Sequence, residues 1–187
     1  MIVLGGGGSR RLGQDKLAAQ LGATTVLDTL LAGLVDVLGA PSITVVGPAR
    51  PTCVPVRWRQ ESPPGGGPVA GLALALPDDP SAVVTLVAGD HPFAAAALPV
   101  LLGARRGADA AIGVDPSGRD QPLLGAYLSG PLRSAIGPQP HGLAMRPVVS
   151  RLTVVRVPLD AQWCLDVDTA ADLAAAREVA QAFTLER

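Results

Sequence analysis

Three stretches of this 187-residue chain carry residue types suited to chemistry on phosphates. The first runs Leu4-Gly5-Gly6-Gly7-Gly8-Ser9-Arg10-Arg11-Leu12-Gly13-Gln14-Asp15-Lys16 and ends on the chain's one lysine; the other fourteen basic residues are arginine. Lysine supplies a compact point charge on a flexible stem, whereas arginine supplies a planar fork. A lone ammonium after four glycines, whose bare backbone lets a ligand approach closely, therefore points to a phosphate. The second stretch, Gly89-Asp90-His91-Pro92, directly follows an apolar run. A carboxylate held at a strand's end is placed to bind Mg2+, which takes oxygen ligands and commonly uses one or two protein carboxylates beside substrate phosphates. Asp90 is the first-choice ligand. The third stretch, Cys164-Leu165-Asp166-Val167-Asp168-Thr169-Ala170-Ala171-Asp172, holds two acids that a strand would set on one face. Thr169 and Asp172 then have the spacing of a variant capping box, which starts a helix.

These residues need elements to position them. Runs rich in Val, Ile and Leu at 1–4, 43–46, 83–88, 110–114, 123–127 and 152–157 read as buried strands. Helical patterns occupy 25–38, 68–76, 98–106 and 170–183. Their alternation predicts an α/β fold, a single-domain Rossmann-like three-layer sandwich over 1–187 with a mostly parallel central sheet and helices on both faces. Ligands of such sheets bind beyond the carboxyl ends of the strands, which is where the glycine run and Asp90 fall. The Pro/Gly-rich segments 62–68 and 137–142 are too short for interdomain linkers and read as loops.

Several function classes are disfavoured. A net charge of −1, dispersed basic residues and 3% aromatics argue against a nucleic-acid surface. Cys53, Cys164, His91 and His141 lack metal-ligand spacing, which argues against zinc. The apolar start is too short for a signal peptide or a membrane span, so the expectation is a cytoplasmic protein with reduced thiols.

Spacing also tests the glycine turn. A G-x-G-x-x-G fingerprint begun at Gly5 or Gly6 requires glycine at Arg10 or Arg11, and a Walker A loop begun at Gly8 requires Lys-Ser/Thr at Gln14-Asp15. Neither fits. What remains is a glycine loop followed by Arg10, Arg11 and Lys16, enough positive charge for a triphosphate.

Leu4 through Lys16 resembles the signature L-A-G-G-x-S-R-R-M-G-x-D-K of the molybdenum cofactor guanylyltransferases, within the nucleotidyltransferase superfamily, with Gly5 for Ala and Leu12 for Met. Further segments follow in the family's order. Gly67-Pro68-Val69-Ala70-Gly71 resembles G-P-L-A-G, Gly89-Asp90-His91-Pro92 resembles G-D-x-P, and Gly118-Arg119-Asp120-Gln121-Pro122-Leu123 lies in a stretch resembling D-G-R-x-Q-P-L. Asp166 to Asp172 resembles D-x-D-T-P-E-D.

The resemblance implies a nucleotide-diphospho-sugar transferase-like fold and Mg2+-dependent transfer of GMP from GTP to the terminal phosphate of molybdenum-molybdopterin, with release of pyrophosphate. It implies that Leu4, Gly5, Gly6, Gly7, Lys16 and Asp90 contact the nucleotide, with Glu61, Gly67 and Pro68 near its base. Arg11, Lys16 and Asp90 would be catalytic, Asp90 and Asp168 would hold Mg2+ with Asp166 in reserve, and Arg119 and Gln121 would meet the acceptor. Arg133 and Arg146 are further candidate anion contacts, and His91 reads as a loop side chain. The attacking phosphate is already an oxyanion, so no general base is needed. Implied partners are GTP, the molybdopterin cofactor, and molybdoenzymes or other cofactor-biosynthesis proteins, with no nucleic acid and no membrane. Two alternatives remain: cytidylyl or other nucleotidyl transfer to a different acceptor, and a nucleotide-binding module without turnover.

Overall fold

Apolar alternation on both faces of the strands builds the molecule from its middle outward. The computed structural model describes residues 1–6, 15–39 and 41–185. In chain order it contains β1 (Ile2–Leu4), a 3-10 turn (Lys16–Ala18), a hairpin of β2 (Gln20–Leu21) and β3 (Thr24–Thr25), α1 (Val26–Leu38), β4 (Thr44–Val46) and β5 (Arg57–Arg59). Then come α2 (Pro68–Ala75), β6 (Val83–Ala88), α3 (Leu98–Ala104), β7 (Ala110–Val114), β8 (Asp120–Leu128), α4 (Ser129–Ile136), α5 (Met145–Val149), β9 (Val154–Pro158) and α6 (Ala170–Leu185).

Seven strands form one sheet in the order β5-β4-β1-β6-β8-β7-β9. All are parallel except β8, which runs against both β6 and β7. Ile2, Leu86 and Ile112 point into one apolar cluster with α2, α4 and α5, while Val3, Val87 and Ala111 point into another with α1 and α3. This period of two, buried on both sides, is the three-layer sandwich expected from the sequence.

Local chemistry sets the element ends. Thr25 Oγ1 accepts from Asp28 N at 3.1 Å to start α1, whose Leu27, Leu30, Leu31 and Leu34 bury one helical face. Pro68 opens α2 at a position where the missing N–H costs nothing. The proposed capping box at Thr169 forms, with Asp172 N donating to Thr169 Oγ1 (3.2 Å) and Thr169 N to Asp172 Oδ2 (2.8 Å). Five elements do not follow from periodicity: β2, β3, β5, α4 and α5, each eight residues or shorter.

The reversed strand β8 has a consequence for the site. Pro122 cannot donate to a ladder, and the register with β7 shifts there, from Ile112 opposite Gly125 to Gly113 opposite Gln121. Because β8 is antiparallel, its first residues lie at the rim formed by the carboxyl ends of β1 and β6, and the bulge turns Leu123 toward that rim.

Candidate active site

The chain leaves β1 to build β4 and β5 on one side and then crosses to β6 on the other, so a topological switch point lies between β1 and β6. There Leu4 pairs with Ala88, Gly5 N donates to Val46 O (2.8 Å) and Gly89 N to Leu4 O (2.9 Å). The residues that follow these strands share one crevice.

Its centre is an ion-pair bridge. Lys16 Nζ donates to Asp90 Oδ2 and, at 2.6 Å, to Asp168 Oδ1, joining side chains 74 and 152 positions away. Burial pulls the Lys16 pKa down, but the bonds it donates to Asp168 and Asp90 outweigh that and raise it above the usual lysine value. The ammonium thus stays charged at neutral pH. Three segments are tied together at this point: Val167 N donates to Asp90 O at 3.0 Å, and Ala19, Phe93 and Val167, each within three residues of a member of the bridge, are buried in one small apolar cluster with Leu173 and Ala176 of α6.

Two further residues complete the support: Asp15, which belongs to the glycine-loop signature, and Arg50, which no sequence pattern singled out. Asp15 caps the 3-10 turn that presents Lys16, accepting from Leu17 N at 3.1 Å, and Arg50 Nη1 donates to Asp15 Oδ2. Arg50 stands four residues past the end of β4, so the rule that directs attention to strand ends would have found it. His91, expected as a loop side chain, is buried, with Nε2 3.8 Å from Asp90 Oδ1. It makes no hydrogen bond to the carboxylate at that distance.

The donor set suits a hard divalent cation. It consists of carboxylate oxygens, and Asp90 Oδ1 is buried without a hydrogen-bond partner among the described residues, a costly state for a charged oxygen that has no ligand. Among those residues no group of three or more His, Cys, Asp or Glu side chains forms a metal cage. Mg2+, which takes its remaining ligands from water and substrate phosphates, fits such a pair.

Beside the bridge is a cleft of about 410 Å3 lined by Leu4, Gly6, Gly47, Glu61, Gly67 and Pro68, joined to a recess of about 110 Å3 that holds Asp15, Lys16, Asp90 and Leu123. Leu4, Gly6 and Pro68 belong to both. Glycine lets the two backbone segments at the cleft's floor approach closely: a Cβ at Gly47, whose φ is +150°, would fall 2.6 Å from Gly5 O. Glu61 Oε2 accepts from Gly66 N at 2.8 Å, which fixes the carboxylate against the loop that leads to α2. A roomier groove of about 780 Å3 between α1, the β2–β3 hairpin and α6 contains neither Asp90 nor Asp168.

The structure thus gathers Leu4, Gly5, Gly6, Lys16, Glu61, Gly67, Pro68, Asp90 and Asp168 around one crevice. Gly7 and Arg11 lie outside the described residues. Asp166 is exposed in a segment that is not a strand, with buried Val167 between it and Asp168, and Asp168 is the acid of the two that accepts from Lys16. Arg119 precedes β8 and Gln121 lies near its start on the same rim, but their turn is closed on itself, with Asp115 accepting from Arg119 N (3.1 Å) and Gln121 Nε2 (2.8 Å). Arg133 donates to Leu76 O and Pro77 O where α2 ends, which makes it a structural residue. Arg146 is exposed in α5.

A mostly parallel sheet with a glycine-walled crevice at its switch point, a lysine and two carboxylates fit a nucleotidyltransferase. The chain belongs to the family described as the MobA-like NTP transferase domain, matched over residues 1–157. Asp168 lies beyond the matched residues. Among solved structures it is similar to molybdopterin-guanine dinucleotide biosynthesis protein A from Archaeoglobus fulgidus, at 21% identity and a TM-score of 0.69 over 96% of this chain and 97% of that one. It is similar to 2-C-methyl-D-erythritol 4-phosphate cytidylyltransferase from Thermus thermophilus, at 20% identity and a TM-score of 0.70 over 97% and 98% of the two chains. A Mycobacterium tuberculosis protein in complex with manganese matches at 19% identity and a TM-score of 0.65, over 95% and 96%. No curated protein matches the chain significantly. Among the described residues no helix is long and apolar enough to cross a membrane.

Proposed function

We propose that the chain, acting as one domain over 1–187, is a Mg2+-dependent guanylyltransferase that transfers GMP from GTP to the terminal phosphate of molybdenum-molybdopterin. A phosphate oxygen of the acceptor forms a bond to the α-phosphorus of GTP as the bond from that phosphorus to the β-phosphate bridging oxygen breaks, and pyrophosphate leaves. The observation that carries this reading is the Lys16 bridge between Asp90 and Asp168 at the mouth of the glycine-walled cleft. The acceptor is supported by the sequence signature from Leu4 to Lys16 and by the name of the Archaeoglobus relative.

Asp90 and Asp168 are the residues that would hold Mg2+, which when bound neutralises phosphate charge and favours in-line displacement. Leu4, Gly5, Gly6 and Gly7 are assigned to the triphosphate and Arg11 to its outer phosphates. Lys16 offers a movable ammonium to the phosphate that is transferred. Glu61, already held by Gly66 N, keeps its second oxygen for a base edge. Arg119 and Gln121 are assigned to the acceptor. Catalysis is then positioning and charge neutralisation, with no poised base. Work on GTP and a soluble cofactor suits a cytoplasmic protein whose partners are molybdoenzymes or other cofactor-biosynthesis proteins.

The Thermus cytidylyltransferase, covered over nearly its full length, favours a second reading in which CTP and another phosphorylated acceptor are used. Guanylyl transfer from GTP to purified molybdenum cofactor, with CTP as control, separates the two. Product with GTP supports the first reading, and product only with CTP replaces it. Nucleotide binding without pyrophosphate release in the presence of any acceptor indicates a module without turnover.

A further inference from the structure

Lys16 stands where a divalent cation bridging Asp90 and Asp168 would have to stand. Its ammonium bonds Asp90 Oδ2 and Asp168 Oδ1, two of the oxygens the proposed metal site offers, and Asp90 Oδ1 is left buried without a hydrogen-bond partner among the described residues. The charges of the three side chains decide what else fits. Two carboxylates and one ammonium sum to −1. A divalent cation in place of the ammonium brings the set to neutrality, but beside a retained ammonium it meets a like charge within a few ångströms, a repulsion little screened in a half-buried recess. A triphosphate changes this balance, because it supplies negative charge for both cations and a new partner for the ammonium.

The local structure permits the exchange. Lysine has a flexible four-carbon stem, and the turn beneath it is fixed independently, by Asp15 capping Leu17 N and Arg50 holding Asp15. The side chain can leave the carboxylates while its backbone stays in place.

We propose that Lys16 is the resident counter-ion of the metal site and releases Asp90 and Asp168 to a divalent cation only as a nucleotide triphosphate takes the ammonium. This rests on the nucleotidyltransferase reading and adds a binding order to it: the site resists metal alone and accepts metal with nucleotide. Lys16 therefore guards against idle occupation by free divalent cations and also serves the bound phosphates.

The test is Mn2+ binding to the full chain without nucleotide, read from the paramagnetic resonance of free Mn2+, with thermal melting as a check on folding. Lys16→Met should bind Mn2+ at least about tenfold more tightly than the wild type, and Lys16→Arg, which keeps the charge, should resemble the wild type. Mn2+ should also raise the melting temperature of Lys16→Met more than that of the wild type, because a ligand that binds only the folded state stabilises it. Equal Mn2+ affinity in Lys16→Met and wild type overturns the exchange. Adding Asp90→Asn should abolish the tight binding. Tight binding that survives Asp90→Asn instead removes the metal assignment on which the exchange depends, so the two failures are told apart.

Discussion

The Lys16 bridge and the turn that carries Arg119 and Gln121 are built in opposite ways. Lys16, Asp90 and Asp168 come from segments separated by 74 and 152 positions and meet only when the sheet, α6 and the small cluster around Val167 have formed. The turn that carries Arg119 and Gln121 is closed by Asp115, which accepts from Ser117 N (2.9 Å), Ser117 Oγ (2.6 Å), Arg119 N and Gln121 Nε2, all within six positions. One region is positioned by tertiary packing and the other by its own side chains. Damage at a distance should therefore reach the first and spare the second.

The largest effect is expected at the bridge. Asp90→Asn removes a charge from the proposed metal site without changing its size, and pyrophosphate release should fall by roughly 10²–10³-fold or more, with a retained cooperative melt showing that the fold is kept. Turnover near the wild-type level would break the assignment.

Next is a change remote from the chemistry. Leu173→Ala in α6 opens a cavity in the cluster that fixes Val167 and Phe93. It should cost about 2–5 kcal/mol of stability by denaturant unfolding and weaken Asp168-dependent metal binding. The amide spectrum of 115–121 should be unchanged, and a perturbed turn would erase the contrast between the two regions.

Arg50→Ala should act more mildly. The Asp15 partner is half exposed, so stability should change by about 1 kcal/mol or less. The loss should appear in turnover by a factor of a few, as Lys16 becomes less well placed, and Arg50→Lys should restore part of it. An effect on stability alone would make Arg50 a surface residue.

The smallest effect belongs to the turn. Bonds from Ser117 Oγ and then Arg119 N hold the Asp115 carboxyl at a pKa of about 2, below its ordinary 3.8. The folded value is depressed, so the contribution of these bonds is complete above pH 3.8 and disappears as the pH falls through about 2. The amide resonances of Ser117 and Arg119 should titrate with that low midpoint. A midpoint near 3.8 would show a looser turn.

The same contrast explains what could be read from the sequence. Local signals were legible: the capping box at Thr169, the turn before β8, the strands flanked by glycine, and the acids at strand ends. The resemblance from Leu4 to Lys16 supplied the chemistry. What could not be read depended on tertiary structure. No spacing rule places Lys16 on both Asp90 and Asp168, or Arg50 on Asp15, because each pairing is set by sheet order. The reversal of β8 was also hidden, since a strand buried on both faces has the same apolar pattern in either direction. The preference for Asp168 over Asp166 came from the resemblance alone, and the bond from Lys16 to Asp168 is tertiary.

The most direct test of the site is the position of Mn2+, found by anomalous scattering, in crystals grown with a non-hydrolysable GTP analogue. A single peak within coordination distance of Asp90 and Asp168, with Lys16 Nζ moved from the carboxylates to a phosphate oxygen, is the predicted result. A peak bound only by phosphates, with Lys16 still bridging the two acids, would contradict it.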